Sequence, residues 1–236
     1  IKKFAKEGKV TCVYEEGFVT IKKGDWKIRI AKAHNIPITM EAKAKFMISN
    51  VLAASLATYL YGFAIEDIAN SLRTFIPSPM LMPGRLNIFK SKKFQVFIDF
   101  AHNPAGYEAI EDYLKNVEAT KKIGIISGVG DRRDEDIKEC GKIAGRMFDY
   151  IIIRNEKHLR GRTEEEINDL IISGIQESDS TVSYESIPKE IEALKHAMSM
   201  AEEGTFITAL SDVVTNAIEL VQEYQTREIL EEGNIS

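Results

Sequence analysis

From residue 86 onward, short apolar runs alternate with amphipathic stretches, and this alternation restricts the fold more than anything else in the 236 residues. Runs this short bury both faces only when a helix follows each of them. The pattern therefore predicts an α/β domain, a mainly parallel sheet with helices on both faces. The expected strands are 94–99, 122–127, 149–153, 181–184 and 205–208. The expected helices are 105–117, 134–147, 163–176, 188–201 and 211–223. Thr163 followed by Glu166 fits a capping box, Pro188 suits a first helical turn, and the residues from Glu228 on read as frayed.

The first 40 residues follow a different rule. Lys9–Tyr14, Phe18–Ile21 and Trp26–Ile30 alternate apolar and polar side chains, with turn residues at Glu16-Gly17 and Lys23-Gly24-Asp25, so a small antiparallel meander is expected. From Thr39 the period becomes helical (Phe46, Ile48, Val51, Leu52, Ser55, Leu56, Tyr59), with Gly62 as the cap. A second helix, Ile65 to Phe75, stops before Pro77. Ser78-Pro79 and Pro83-Gly84 read as a stiff linker, which divides the chain into 1–83 and 84–236.

Composition excludes several classes. The 31 basic against 36 acidic side chains include no basic block, which disfavours nucleic acid as a partner. Cys12 and Cys140 are too few for a disulfide framework or metal knuckle, and no apolar run reaches membrane-span length, so a cytoplasmic location is expected. No His, Cys and carboxylate grouping has metal-ligand spacing, and His34 and His196 read as surface or packing residues. The chain opens on Ile1 without a methionine, as a fragment of a longer protein would.

Three segments carry chemistry. Asp99-Phe100-Ala101-His102-Asn103-Pro104 closes an apolar run and opens a helix, the place where open α/β sheets hold nucleotides. A carboxylate there can accept from a ribose diol, and an imidazole can stack on a purine. The alternative is that Asp99 and Asn103 simply cap the helix. Upstream, Pro83-Gly84-Arg85-Leu86-Asn87 offers a guanidinium suited to a phosphate, or merely a surface arginine. Downstream, Gly128-Val129-Gly130-Asp131-Arg132-Arg133-Asp134-Glu135-Asp136 puts acids where a helix dipole favours them and arginines where it does not. A loop of both signs can hold a zwitterionic amino acid. A fourth segment, His158-Leu159-Arg160-Gly161-Arg162, follows the next strand and reads either as part of that site or as a solvated basic turn.

These segments, in this order, resemble the carboxy-terminal half of the Mur-type ligases, ATP-dependent enzymes that join an amine to a carboxylate. The Gly-Asp-Arg-Arg-Asp-Glu-Asp run is most similar to the branch that attaches arginine to poly-aspartate. The resemblance implies a Rossmann-like carboxy-terminal domain from residue 84, preceded by the tail of the ATPase domain. It implies ATP contacts from Asn50, Arg85, Asp99, His102 and Asn103, with Met47 standing where the family commonly has a further Asn. It implies an amino-acid site shaped by Asp131, Arg132, Arg133, Asp134, Arg160 and Arg162, with His102 and Asp131 in catalytic positions.

The implied reaction runs through an acyl phosphate formed from ATP with Mg²⁺ and attacked by the α-amine of arginine, the carboxy-terminal domain swinging these residues over the nucleotide. No Gly-Lys-Thr or Gly-Lys-Ser occurs in the chain, so the resemblance implies that the terminal phosphates and Mg²⁺ are held mainly by residues outside it, and that the chain alone is inactive. Other ligases of the family, acting on folate polyglutamate or peptidoglycan precursors, and a non-catalytic nucleotide-binding or oligomerising module remain the alternatives. Self-association is left open.

Overall fold

The structure, a computed structural model, describes residues 9–178 and 181–233. It divides into two compact units, one ending at Pro77 and one running from Ser78.

In the first unit, β1 (Val10–Glu15), β2 (Phe18–Lys23) and β3 (Trp26–Lys32) form an antiparallel sheet in that order. The β1–β2 turn places Glu16 and Gly17 at φ 52° and 80°, the positive pair that a two-residue hairpin needs to match strand twist. One sheet face packs Cys12, Val19, Ile21 and Ile30 against Val51 of α1 (Lys45–Tyr61) and Ile68 of α2 (Ile65–Thr74). α1 starts at Lys45 rather than near Thr39. The Thr39 hydroxyl donates to Ala33 O at 2.6 Å and accepts from Ala42 N at 3.1 Å, which holds a turn in which Met40, Glu41 and Ala42 all have positive φ. Gly62 caps α1 with φ 103°.

The second unit is a six-stranded sheet in the order β4-β5-β9-β6-β7-β8, flanked by helices. Its elements are β4 (Asn87–Lys90), β5 (Phe94–Asp99), α3 (Pro104–Leu114), β6 (Lys121–Ile126), α4 (Asp134–Met147), β7 (Tyr150–Ile153), α5 (Glu164–Gln176), β8 (Ser183–Ser186), α6 (Glu190–Ser199), β9 (Thr205–Leu210) and α7 (Val214–Gly233). All pairs are parallel except β4–β5. Val96, Ile98, Ile123, Ile125, Ile152 and Ile207 face α6 and α7 through Leu194, Ala197, Ile218 and Val221. On the other side, Phe97 meets Tyr113 of α3 with centroids 5.8 Å apart. α4 and α5 pack so closely that a Cβ on Gly174 would lie 1.9 Å from Lys138 O, which explains a glycine inside a helix despite its poor propensity.

Several expectations change: the helix expected at 105–117 ends at Leu114, and the one expected at 211–223 starts at Val214. The antiparallel edge strand β4 has no counterpart in the expected set. The strand expected at 181–184 is Ser183–Ser186, because pairing with β7 sets its register as Tyr150↔Ser183 through Ile153↔Ser186. Pro188 precedes the helix rather than opening it: its carbonyl accepts from Asn155 N at 3.0 Å, and the first helical residue is Glu190. The stretch from Glu228 to Gly233 is helical, not frayed. α7 docks on the β4–β5 hairpin through Tyr224 against Phe94 (5.3 Å) and Gln225 Nε2 donating to Lys90 O at 2.7 Å. Residues 234–236 of that stretch lie outside the described residues, as do 1–8.

Candidate active site

The parallel strands β5, β6, β7 and β9 end on one edge of the sheet. Their following loops enclose a cavity of about 140 Å³ lined by His102, Asp131, Arg132 and Arg160 together with Ser127, Arg154, Glu156, Ser211 and Asp212. Of the residues expected to act, the fold brings those first four together. Arg85, Asp99, Asn103, Arg133, Asp134 and Arg162 belong to the same unit but do not line this cavity.

At the end of β5, Asp99 is buried and accepts from Leu86 N at 3.1 Å through one oxygen and from Ala101 N at 2.9 Å through the other. Burial raises its pKa, against the backbone donors and the charge of Arg85. Asn87 braces the same turn, accepting from Gly84 N at 2.7 Å and donating to Met82 O at 3.0 Å. Together they present Arg85, exposed, with its guanidinium 5.5 Å from the Phe100 ring centroid. Asn103 caps α3 through Gly106 N at 2.8 Å. His102 is half-buried, with its Nδ1 donating to Phe100 O at 2.9 Å, which fixes the ring's orientation.

The loop after β6 is clamped from the loop after β7. Arg162 donates to Gly130 O and Arg132 O, each at 3.0 Å, and pairs with Asp134 at 2.7 Å. Gly130 has to be glycine here, since a Cβ would lie 2.0 Å from Leu159 O. Arg160, itself at φ 51°, pairs with Asp131, and Arg133 forms a forked pair with Asp136 at 2.8 and 3.0 Å. Of the two arginines that the helix dipole left unexplained, Arg133 is thus matched by an acid of its own motif. Arg132 is different: its Nε is buried without a hydrogen-bond partner, and Asp131 lies 4.0 Å away.

Sequence reasoning missed the group beneath this loop. Arg154, buried at the end of β7, sits 3.3 Å from Glu190 and 2.8 Å from Asp212, and donates twice to Leu210 O. Glu156 accepts from the Ser127 hydroxyl at 3.4 Å and shares a hydrogen bond with Asp212. Burial first, then Asp212, pushes the Glu156 carboxyl up to about 7. Burial likewise raises Glu190, against the charge of Arg154. For Asp212 burial also acts upward, but hydrogen bonds from Glu190 and Glu156 and the charge of Arg154 outweigh it and hold the carboxyl below its usual range. The available signal was a charged residue closing the apolar run Tyr150–Ile153.

Asn50 lies in the first unit, exposed on α1. Its Nδ2 is 3.6 Å from Met47 Sδ, and it borders a cavity of about 530 Å³ walled by Val51, Ala54, Ile68 and Leu72.

With this geometry in hand, the chain can be set beside known proteins. A sequence family described as Mur ligase, glutamate ligase domain, matches residues 84–213, more than half of the chain. The chain belongs to the Mur ligase family. It is 44% identical over 215 residues to a cyanophycin synthetase of Geminocystis herdmanii, covering 91% of this chain and 24% of that protein. It is 41% identical over 222 residues to one from Nostoc, covering 94% and 25%. The chain therefore spans about a quarter of the length of these relatives. In fold it is similar to E. coli FolC in complex with ADP, with a TM-score of 0.66 and 17% identity over 92% of this chain and 47% of that one. The Mur ligase match runs from residue 84 to 213, so it takes in Arg154, Glu156, Glu190 and Asp212 as well as the expected site residues other than Asn50.

Proposed function

We propose that this chain is the carboxy-terminal part of an ATP-dependent ligase of the cyanophycin synthetase type, adding the α-amine of arginine to a side-chain carboxylate of poly-aspartate. The observation that carries this reading is the 44% and 41% identity to cyanophycin synthetases over nearly the whole chain, both units included. ATP activates the carboxylate as an acyl phosphate, the amine attacks the carbonyl carbon, and phosphate leaves from the tetrahedral adduct.

Residues 1–83 would supply the tail of the ATPase domain and residues 84–236 the carboxy-terminal domain. Arg85, exposed over Phe100, has the charge and fork geometry to hold a phosphate, and Asn50 has the donor and acceptor to read an adenine edge. Asp99 serves mainly by building the turn that carries Arg85, with a ribose contact left to its remaining lone pairs. Arg132, whose Nε lacks an acceptor, fits a substrate carboxylate, and Asp131 and Arg160 complete that wall. Magnesium would accompany ATP, held mainly by residues outside this chain.

The test is ligation by the full-length protein with ATP, magnesium, a poly-aspartate primer and arginine, read as phosphate release and primer mass. Primer growth that depends on arginine supports the reading. Turnover only with a folate or peptidoglycan precursor, or none with any amino acid, overturns it. In the active protein, Arg85→Ala raises the KM for ATP by about tenfold or more, the worth of one charge-assisted contact, and leaves the melting temperature in place.

A further inference from the structure

We infer that Glu156 accepts the proton released by the incoming α-ammonium group, with Asp212 and Arg154 positioning it. The inference rests on the ligase reading above and concerns residues that reading leaves without a role. An ammonium group has no lone pair, so one proton has to leave before attack. The cavity at the strand ends is the place where that proton can be received, because its lining carries both signs. Arg132 and Arg160 suit the substrate carboxylate, while Glu156 and Asp212 suit the ammonium.

The other carboxyls of the cavity are poorly placed to take a proton. Asp131 is paired with Arg160. Asp212 is paired with Arg154 at 2.8 Å and its carboxyl is held below the usual range. Glu156 faces no cation at ion-pair distance among the described residues; its neighbours are the Ser127 hydroxyl and Asp212. Arg154 reaches it by charge alone, from β7, and Glu190 of α6 sits on the far side of that guanidinium. Tyr107 of α3 adds a neutral, fully buried phenol, and His102 lies on the cavity wall. A carboxyl that titrates at about 7 in this setting is matched to proton transfer near neutrality.

The ammonium N–H bond breaks and its proton goes to Glu156, leaving a neutral amine. The amine lone pair forms the C–N bond at the acyl-phosphate carbonyl. The C–O bond to phosphate then breaks, and the departing phosphate takes the second nitrogen proton. Glu156 finally returns its own proton to solvent.

The experiment compares wild type, Glu156→Gln and Glu156→Asp in the full-length protein, with arginine and with hydroxylamine as nucleophiles. Hydroxylamine is largely unprotonated at neutral pH and needs no acceptor. With arginine, E156Q is expected to lose about 100-fold or more in kcat and to lose the acidic limb of the pH profile near 7, while the KM for arginine moves little. E156D recovers part of the rate, and both variants form hydroxamate as fast as wild type. An E156Q that keeps its arginine kcat, or that loses hydroxamate formation equally, overturns the role. A wild type that ligates no amino acid overturns the ligase reading, and this inference with it.

Discussion

The cavity between α1 and α2 and the cavity at the strand ends differ in the opposite sense from what size suggests. The first holds about 530 Å³ and is walled by aliphatic and aromatic side chains, with Asn50, Asp67 and a few hydroxyls at its rim. The second holds about 140 Å³ and is lined largely by charge. Volume and apolarity measure how much surface a helix pair leaves uncovered. α1 is apolar nearly all round and shows Leu60 and Tyr61 to solvent, so its groove follows from composition alone. The small cavity needed four strand ends and the loops that follow them to bring opposite charges together out of water. Chemistry belongs with the second arrangement, because a desolvated charge has its proton affinity set by its neighbours.

The largest effect expected from this contrast is at Arg154. Replacing it by Met keeps much of the volume but leaves Glu190 and Asp212 facing each other without their cation. Breaking a buried pair from one side costs about 3–5 kcal/mol. Urea unfolding at pH 7 should show the loss, with little relief from salt. A loss below about 1 kcal/mol would mean that water reaches the cluster freely and that the contrast between the two cavities is not one of desolvation.

The sequence made the scaffold readable where one element carries its own signal. The strand 94–99 and the helix 134–147 coincide with β5 and α4, because each combines a clean period with a sharp boundary. The Thr163–Glu166 capping box is present in both directions. β4 escaped because Asn87–Lys90 is four residues long and gains its strand character only from β5. The expected site residues that meet at the cavity, His102, Asp131, Arg132 and Arg160, lie in motifs that announce themselves. Glu156, Glu190 and Asp212 do not: each stands alone at a strand end or helix start, where an acid reads as an ordinary cap. Glu156 follows Arg154 by two residues, but Glu190 comes from the start of α6 and Asp212 from the end of β9, which the crossover sets between β5 and β6.

A smaller effect tests the electrostatics of the polar cavity directly. The folded protein holds the Glu156 proton more tightly than an unfolded chain does, with a pKa of about 7 against roughly 4.3. A raised carboxyl pKa contributes stability that is complete below the unfolded value and is lost as pH rises through the folded one. Glutamine mimics the protonated form at every pH. E156Q should therefore match wild type near pH 4 and exceed it at pH 8, by about 1 kcal/mol once solvent screening of a half-buried group is allowed for. Melting temperatures across that range give the comparison. A variant that is less stable at pH 8 would show that the Glu156 charge is favourably paired, and would remove the reason for its raised proton affinity.

The smallest effect is expected on the apolar side. Leu60 is 62% exposed near the end of α1, so it gives the fold little transfer energy. Leu60→Ser should change unfolding free energy by no more than about 0.5 kcal/mol, as surface substitutions generally do. Serine is a slightly poorer helix former than leucine, and this sets the sign toward destabilisation. The same urea titration used for Arg154→Met measures it, so the two numbers stand on one scale. A cost approaching that of Arg154→Met would mean that the outer face of α1 is core in solution, covered by something that excludes water from it. The groove beside it would then be an interface between packed surfaces rather than open space, and size and charge would no longer separate the two cavities.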